Sequence, residues 1–125
     1  MNTFTPGTTL RLQKTVLATD SARAFGSGLV DVFATPAMIA LMEQTCLTLV
    51  GPHLAENQNT VGTHVDVKHL RATPVGQTVW CEATLLTVEG KKLTFKVEAF
   101  DEKGLIGAGS HRRFIIDTEA FMASL

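Results

Sequence analysis

The segment from Thr35 to Val50, TPAMIALMEQTCLTLV, constrains this chain more than any other. Thr35-Pro36 reads as a helix start. A threonine N-cap accepts a hydrogen bond from the first free amides, and a proline at the next position gives up no bond. Gly51-Pro52 reads as the stop. In between, the helix runs from Pro36 to about Val50. Met38, Leu41, Met42, Cys46 and Leu49 recur at helical spacing. At about 100° per residue, Ile39, Leu47 and Val50 extend the apolar surface well past one stripe. Only Glu43, Gln44, Thr45 and Thr48 break it. A helix this apolar needs cover over most of its circumference, so the rest of the chain has to wrap it.

The rest reads mainly as strands. Thr8 to Thr15 partly alternates and fits a first strand, and Ala18 to Gly28 fits a loop or short helix. After Asn59 the period becomes two: Val61, Thr63, Val65, Val67 and His69 share one face, with Gly62, His64, Asp66 and Lys68 on the other. Ala72 to Gly76 is a turn, Gln77 to Val88 a long β-branched strand, and Glu89-Gly90-Lys91 a tight hairpin connection. Leu93 to Phe100 alternates again, and Asp101 to Gly104 turns the chain into a last strand, Leu105 to Ile116. There Gly107 and Gly109 mark a bulge or a close approach. Asp117 is placed to cap a short final helix. The outline is a strand, a buried helix and four antiparallel strands in a meander, a two-layer α+β arrangement. One helix covers only part of so wide a sheet, and pairing two subunits edge to edge would bury more.

Composition narrows the function classes. The 125 residues suit one domain spanning 1–125, with 45% apolar and 18% charged residues. A net charge of −1 gives no basic excess for nucleic acid. Met1 to Leu10 lacks the pattern of a signal peptide, and no apolar run is long enough to span a membrane, so a cytoplasmic protein is expected. Cys46 and Cys81 sit among apolar residues and read as buried thiols in a reducing compartment. No Cys/His spacing suggests a metal, no phosphate loop or dinucleotide fingerprint occurs, and no cofactor is implied.

Three residues stand out as carriers of chemistry. Glu43 lies between the directions of Ile39, Leu47 and Val50. It either faces solvent on the helix's one polar edge, or it is a carboxylate held in a cleft with a raised pKa, fit for base or nucleophile work. His69 ends the apolar face of its strand, where a histidine is either a satisfied core residue or, with Glu43 on the same inner surface, half of an acid/base pair. Thr35 reads first as a cap, whose hydroxyl beside free amides also offers a site for a developing oxyanion. His53 reads as exposed and His64 as polar-face. His111, Arg112 and Arg113 form a basic cluster that is either a solvated edge or a contact to phosphate, or to a carboxylate across a subunit interface.

Taken together, Val32-Phe33-Ala34-Thr35, Leu41-Met42-Glu43, Gly62-Thr63, and His69 with Ala72-Thr73-Pro74 and Gly76 resemble the fluoroacetyl-CoA thioesterase family of hotdog proteins. Val88 to Leu93 and Ile106 to Arg113 resemble it too, so the likeness covers about Phe33 to Ile116. It implies a hotdog homodimer hydrolysing a short acyl-CoA. The family's catalytic threonine, glutamate and histidine match Thr35, Glu43 and His69. Gly62, Thr63 and Arg113 match positions near its substrate. One departure is expected: the stretch Ser21 to Phe33 reads as shorter than the family's aromatic-bearing lid, with Phe25 its aromatic candidate, so hydrolysis is better supported than the fluorinated substrate. Two other classes fit the same parts less well: a hotdog hydratase or dehydratase of enoyl or 3-hydroxyacyl thioesters, and a non-catalytic acyl-CoA-binding module.

Overall fold

The computed structural model describes residues 3–125; of the stretch read for a leader, Met1 and Asn2 lie outside the described residues. The strands are β1 (Thr9–Thr15), β2 (Gln58–His69), β3 (Thr78–Glu89), β4 (Lys92–Asp101) and β5 (Gly104–Asp117). The helices are a short α1 (Ala22–Phe25), the long α2 (Thr35–Val50) and a terminal α3 (Thr118–Ala123). All five strands join one antiparallel sheet in the order β1-β3-β4-β5-β2. The helix α2 packs against β1, β2, β3 and β4. The expected α+β wrap is what forms.

The core is where period two meets period 3.6. Val79, Cys81, Ala83 and Leu85 of β3 and Leu93, Phe95, Val97 and Ala99 of β4 point inward. They meet Met38, Leu41, Met42, Cys46 and Leu49 of α2. Full burial of each large side chain contributes roughly 1.5–3 kcal/mol, which is why the helix sits against the sheet instead of in water. Gly107 makes the closest approach possible, because a Cβ there would stand 2.5 Å from the sulfur of Met38.

Three expectations need correction. First, the four later strands are not a meander. Only β3-β4-β5 are consecutive neighbours, and β2 pairs with β5 at the far edge. Residues 70–77 are therefore a crossover and not a hairpin turn. They span three strand spacings, about 14 Å at 4.8 Å each, well within the reach of eight residues. Second, Thr35 is the first helical residue and not the cap. Ala34 holds the cap position, with no side-chain capping bond. Third, β2 does not keep one inward face. Its register against β5 shifts between Gly62 and His64. One extra residue, Thr63, inverts the alternation. Thr60 and Gly62 face inward before it, opposite Ile115 and Arg113. Val65, Val67 and His69 face inward after it, opposite His111, Gly109 and Gly107. Val61 and Thr63 thus leave the face assigned to them. Asp117 does cap α3, accepting from the Ala120 amide at 2.9 Å.

Candidate active site

The Ser21–Phe33 segment closes on itself. Ser21 bridges to Phe33 and Val32 to Pro74, and the Ala22 amide donates to the Val32 carbonyl at 2.9 Å. It forms one wall of a cleft of about 430 Å³, with the start of α2 and the end of β2 as the others. Ala22, Val32, Phe33, Thr35, His69 and Ala72 are among the residues lining it. The lower wall is anchored from below: buried Asp101 accepts from Arg71 at 2.5 Å and from the Thr73 hydroxyl at 2.8 Å. Burial pushes the Asp101 carboxyl up, but those partners and the Lys103 amide outweigh it and hold it below the usual carboxylate range. The Phe25 side chain is half exposed at the segment's turn.

In this cleft Thr35 Oγ1 lies 2.7 Å from His69 Nδ1. With the capping role gone, the hydroxyl is free to hold the ring. The other ring nitrogen, Nε2, is buried and lacks a hydrogen-bond partner among the described residues. Burial is the main cause that lowers the pKa of His69 below 6.5, with the Arg71 backbone acting the other way. The imidazole is therefore neutral at neutral pH. A buried ring nitrogen without a side-chain partner is uncommon, which makes this histidine the candidate for chemistry in the cleft.

Glu43 stands in a second cluster. Its Oε2 lies 3.5 Å from Arg113 Nη1 and 3.9 Å from His111 Nε2, and its side chain is 40% exposed. Gly62 leaves the room: a Cβ there would come within 2.6 Å of Glu43 Oε2. Arg113 is buried, its Nε donating to Thr60 Oγ1 at 2.8 Å and its Nη2 to the Thr60 carbonyl at 3.0 Å. Burial pulls its pKa below the ordinary arginine value while Glu43 pulls it back, and it stays a cation. Thr63, the bulge residue, is exposed and donates to the Arg112 carbonyl at 3.3 Å.

The structure thus joins Thr35 to His69, and Glu43 to Gly62 and Arg113, but does not join the two groups within one chain. Thr35 and Glu43 are eight residues apart on α2, about 12 Å at 1.5 Å per residue. The basic cluster also divides. Arg112 is exposed, while His111 and Arg113 point inward. β5 is an interior strand, so the cluster is not a solvated edge. His53 is half-buried against the Phe4 ring at 6.0 Å. Sequence reasoning missed His111 and Thr60 as members of the Glu43 cluster. The alternation of β5 held the signal for His111, since it shares parity with Arg113 and Ile115. Among the described residues no group of His, Cys, Asp and Glu is placed to hold a metal.

A family model for fluoroacetyl-CoA-specific thioesterases (FlK) matches residues 16–119. This chain belongs to that family. The fluoroacetyl-CoA thioesterase of Streptantibioticus cattleyicolor is 41% identical over 95 residues, 76% of this chain and 68% of that protein. A solved structure of FlK superposes with a TM-score of 0.92 at 32% identity, over 98% of this chain and 96% of that one. An FlK variant solved with fluoroacetate and CoA gives a TM-score of 0.88 at 33% identity, over 94% and 99% of the two chains. A thioesterase-superfamily member from Thermus thermophilus gives 0.91 at 26% identity, over 99% and 92%. The family places the chain among hotdog-fold thioesterases, as the resemblance of Phe33 to Ile116 implied.

Proposed function

We propose that this chain, as one hotdog domain paired with a second copy, hydrolyses a short acyl-CoA to the free acid and CoA. The observation that carries this reading is His69: a neutral ring pinned by Thr35, with its second nitrogen unpartnered beside a cleft of the size small ligands occupy. Fluoroacetyl-CoA, the substrate in the names of its relatives, is the first acyl group to test, with acetyl-CoA beside it.

Glu43 supplies the carboxylate. It attacks the thioester carbonyl, forming an acyl-enzyme anhydride, or activates the water that does so. His69, neutral and so able to act as a base, takes a proton from the water that attacks the thioester or opens the anhydride and passes it to the departing thiolate, and the amides at the start of α2 steady the oxyanion. For this, Glu43 has to meet Thr35 and His69, which one chain keeps about 12 Å apart. A two-fold axis resolves this. β2 is an edge strand whose stretch 62–66 is exposed. Beside it α2 leaves Leu47 exposed and Ile39 and Glu43 half-buried. Antiparallel pairing of two β2 strands about a point near Val65 and Asp66 sets Gly62 of one copy across from His69 of the other. Glu43 of one copy then approaches the Thr35–His69 pair of its partner, and the open helix stripe is covered. Among the described residues no helix is long and apolar enough to cross a membrane, and the free thiols of Cys46 and Cys81 suit the reducing cytoplasm.

The test is thiol release from a panel of short acyl-CoAs by wild type, Glu43→Gln and His69→Ala. Both variants should lose turnover by about two orders of magnitude or more while staying folded. Mixing the two inactive variants should restore one site per mixed dimer. Wild-type hydrolysis by either variant alone sinks the assignment; an inactive mixture sinks the shared site.

A further inference from the structure

His111 is 1% exposed, yet no step above uses it. Its two ring nitrogens have partners that fix its state. Nδ1 lies 2.7 Å from the backbone carbonyl of His64. A carbonyl has no hydrogen to give, so Nδ1 carries the proton. Nε2 lies 3.1 Å from Arg113 Nη1. A guanidinium nitrogen only donates, so Nε2 offers its lone pair. The neutral ring protonated on Nδ1 alone satisfies both. Phe95 stacks on the ring at 6.3 Å, and burial followed by the charge of Arg113 disfavours the imidazolium.

The bonds of Arg113 show what this accomplishes. Thr60 takes Nε and Nη2, at 2.8 and 3.0 Å. The remaining nitrogen, Nη1, is shared between His111 Nε2 at 3.1 Å and Glu43 Oε2 at 3.5 Å. The shorter bond goes to the neutral ring and the longer to the carboxylate. Without that ring acceptor, Nη1 has Glu43 as its remaining acceptor and closes on it. A clamped carboxylate is a weaker nucleophile and a weaker base, because its lone pairs are engaged by a cation.

We propose that His111 is a positioning residue for thioester hydrolysis: it holds Arg113 Nη1 near Glu43 without letting it clamp the carboxylate, and it ties that spacing to the bulge on β2. The proposal rests on Glu43 being the reacting carboxylate. It also explains the bulge. The shift between Gly62 and His64 sets the His64 carbonyl against Nδ1, so the edge strand that would meet a second copy also sets the ring.

Two substitutions separate the two nitrogens. His111→Asn keeps an amide donor where Nδ1 stood and removes the acceptor toward Arg113. His111→Gln reaches the Nε2 position with a carbonyl oxygen and gives up the bond to His64. With acetyl- or fluoroacetyl-CoA, whichever wild type turns over faster, His111→Asn should lower kcat by about tenfold or more with KM within about threefold. His111→Gln should keep kcat within about threefold of wild type. In an Arg113→Ala background His111→Asn should add nothing, because the residue acts through Arg113. Equal losses in both variants, tracking their melting temperatures, overturn the proposal, as does an undiminished effect without Arg113. If neither variant folds, long-range ¹H–¹⁵N correlation on wild type decides: His111 protonated on Nδ1 supports the proposal, and protonation on Nε2 or on both nitrogens overturns it. Glu43→Gln separates the two levels. Wild-type turnover there fails the assignment of Glu43, whereas an inactive Glu43→Gln beside a fully active His111→Asn fails the role of His111 alone.

Discussion

Gly62→Ala tests how finely Glu43 is placed. The new Cβ would stand 2.6 Å from Glu43 Oε2, 3.2 Å from His111 Cε1 and 3.4 Å from Arg113 Nη1. Ordinary contact begins near 3.5 Å, so Oε2 has to retreat by about 0.9 Å and the His111 ring by a few tenths of an ångström. The retreat is cheap for the fold. Glu43 is a flexible side chain 40% exposed, and Gly62 is not among the glycines with positive φ. Replacing a strand glycine by alanine also recovers roughly 0.5–1 kcal/mol of chain entropy. For catalysis the same displacement is expensive, since a misplacement of about 1 Å costs on the order of a hundredfold. The expected result is kcat lowered by about 30- to 100-fold, with a melting temperature within a few degrees of wild type. Thiol release under saturating acyl-CoA gives the first, and fluorescence of Trp80, the one tryptophan, gives the second. Unchanged kcat in a folded Gly62→Ala protein would refute the argument that the position of Glu43 matters. A fall in melting temperature of about 10 °C or more would refute the claim that a flexible side chain absorbs the clash.

Other predictions follow from the same geometry. Thr35→Ala should cut kcat by about 10- to 100-fold through loss of the bond to His69, and Thr35→Ser should restore most of it. Because Ala34 and not Thr35 holds the cap position, thermal denaturation of Thr35→Ala should show none of the ~1 kcal/mol that loss of a cap costs. Gly107→Ala should destabilise the protein by about 1–3 kcal/mol in urea titration, since its Cβ would meet the Met38 sulfur at 2.5 Å and the Lys68 carbonyl at 3.0 Å; an unchanged midpoint contradicts the packing described. Burial holds the pKa of His69 below 6.5, so its acid limb in kcat should lie below pH 6.5 and be absent from His69→Ala. The sign for stability agrees: the unfolded chain takes up this proton first, so the fold loses stability as pH falls below 6.5. A limb centred above that value contradicts the buried ring.

Much of the fold was legible because its elements are long and locally consistent. The apolar faces of β3 and β4 alternate without interruption, and α2 carries more apolar surface than water tolerates. What period counting could not supply was the position of β2. Strand order depends on the crossover at 70–77, whose residues look like any turn. The parity of β2 was half right for a definite reason. From Val65 to His69 the odd residues do face inward, but the extra residue at Thr63 inverts the rule for Val61, and Thr63 carries no mark of a bulge. Gly62 was the available clue, since a glycine within a strand signals a close approach, and here what approaches is Glu43.

The site was legible as a set of residues but not as an arrangement. Thr35, Glu43 and His69 were expected to converge, although helical rise alone puts the first two about 12 Å apart. The helix was expected to be covered over most of its circumference, yet Leu47 is exposed and Ile39 and Glu43 are only half-buried. These two discrepancies lie on the same side of the molecule, next to the unpaired edge of β2. A reading that needed separate explanations for each would be weaker than one that removes both. The proposed two-fold does so in one operation: it covers the open stripe of α2, pairs the free edge, and exchanges the ends of β2 so that Glu43 faces the Thr35–His69 pair of the other copy. On that reading the separation of the two clusters within one chain is a requirement of the design. The thioester would then lie between the copies, with the Thr35–His69 pair of one and the Glu43 of the other on either side of its carbonyl.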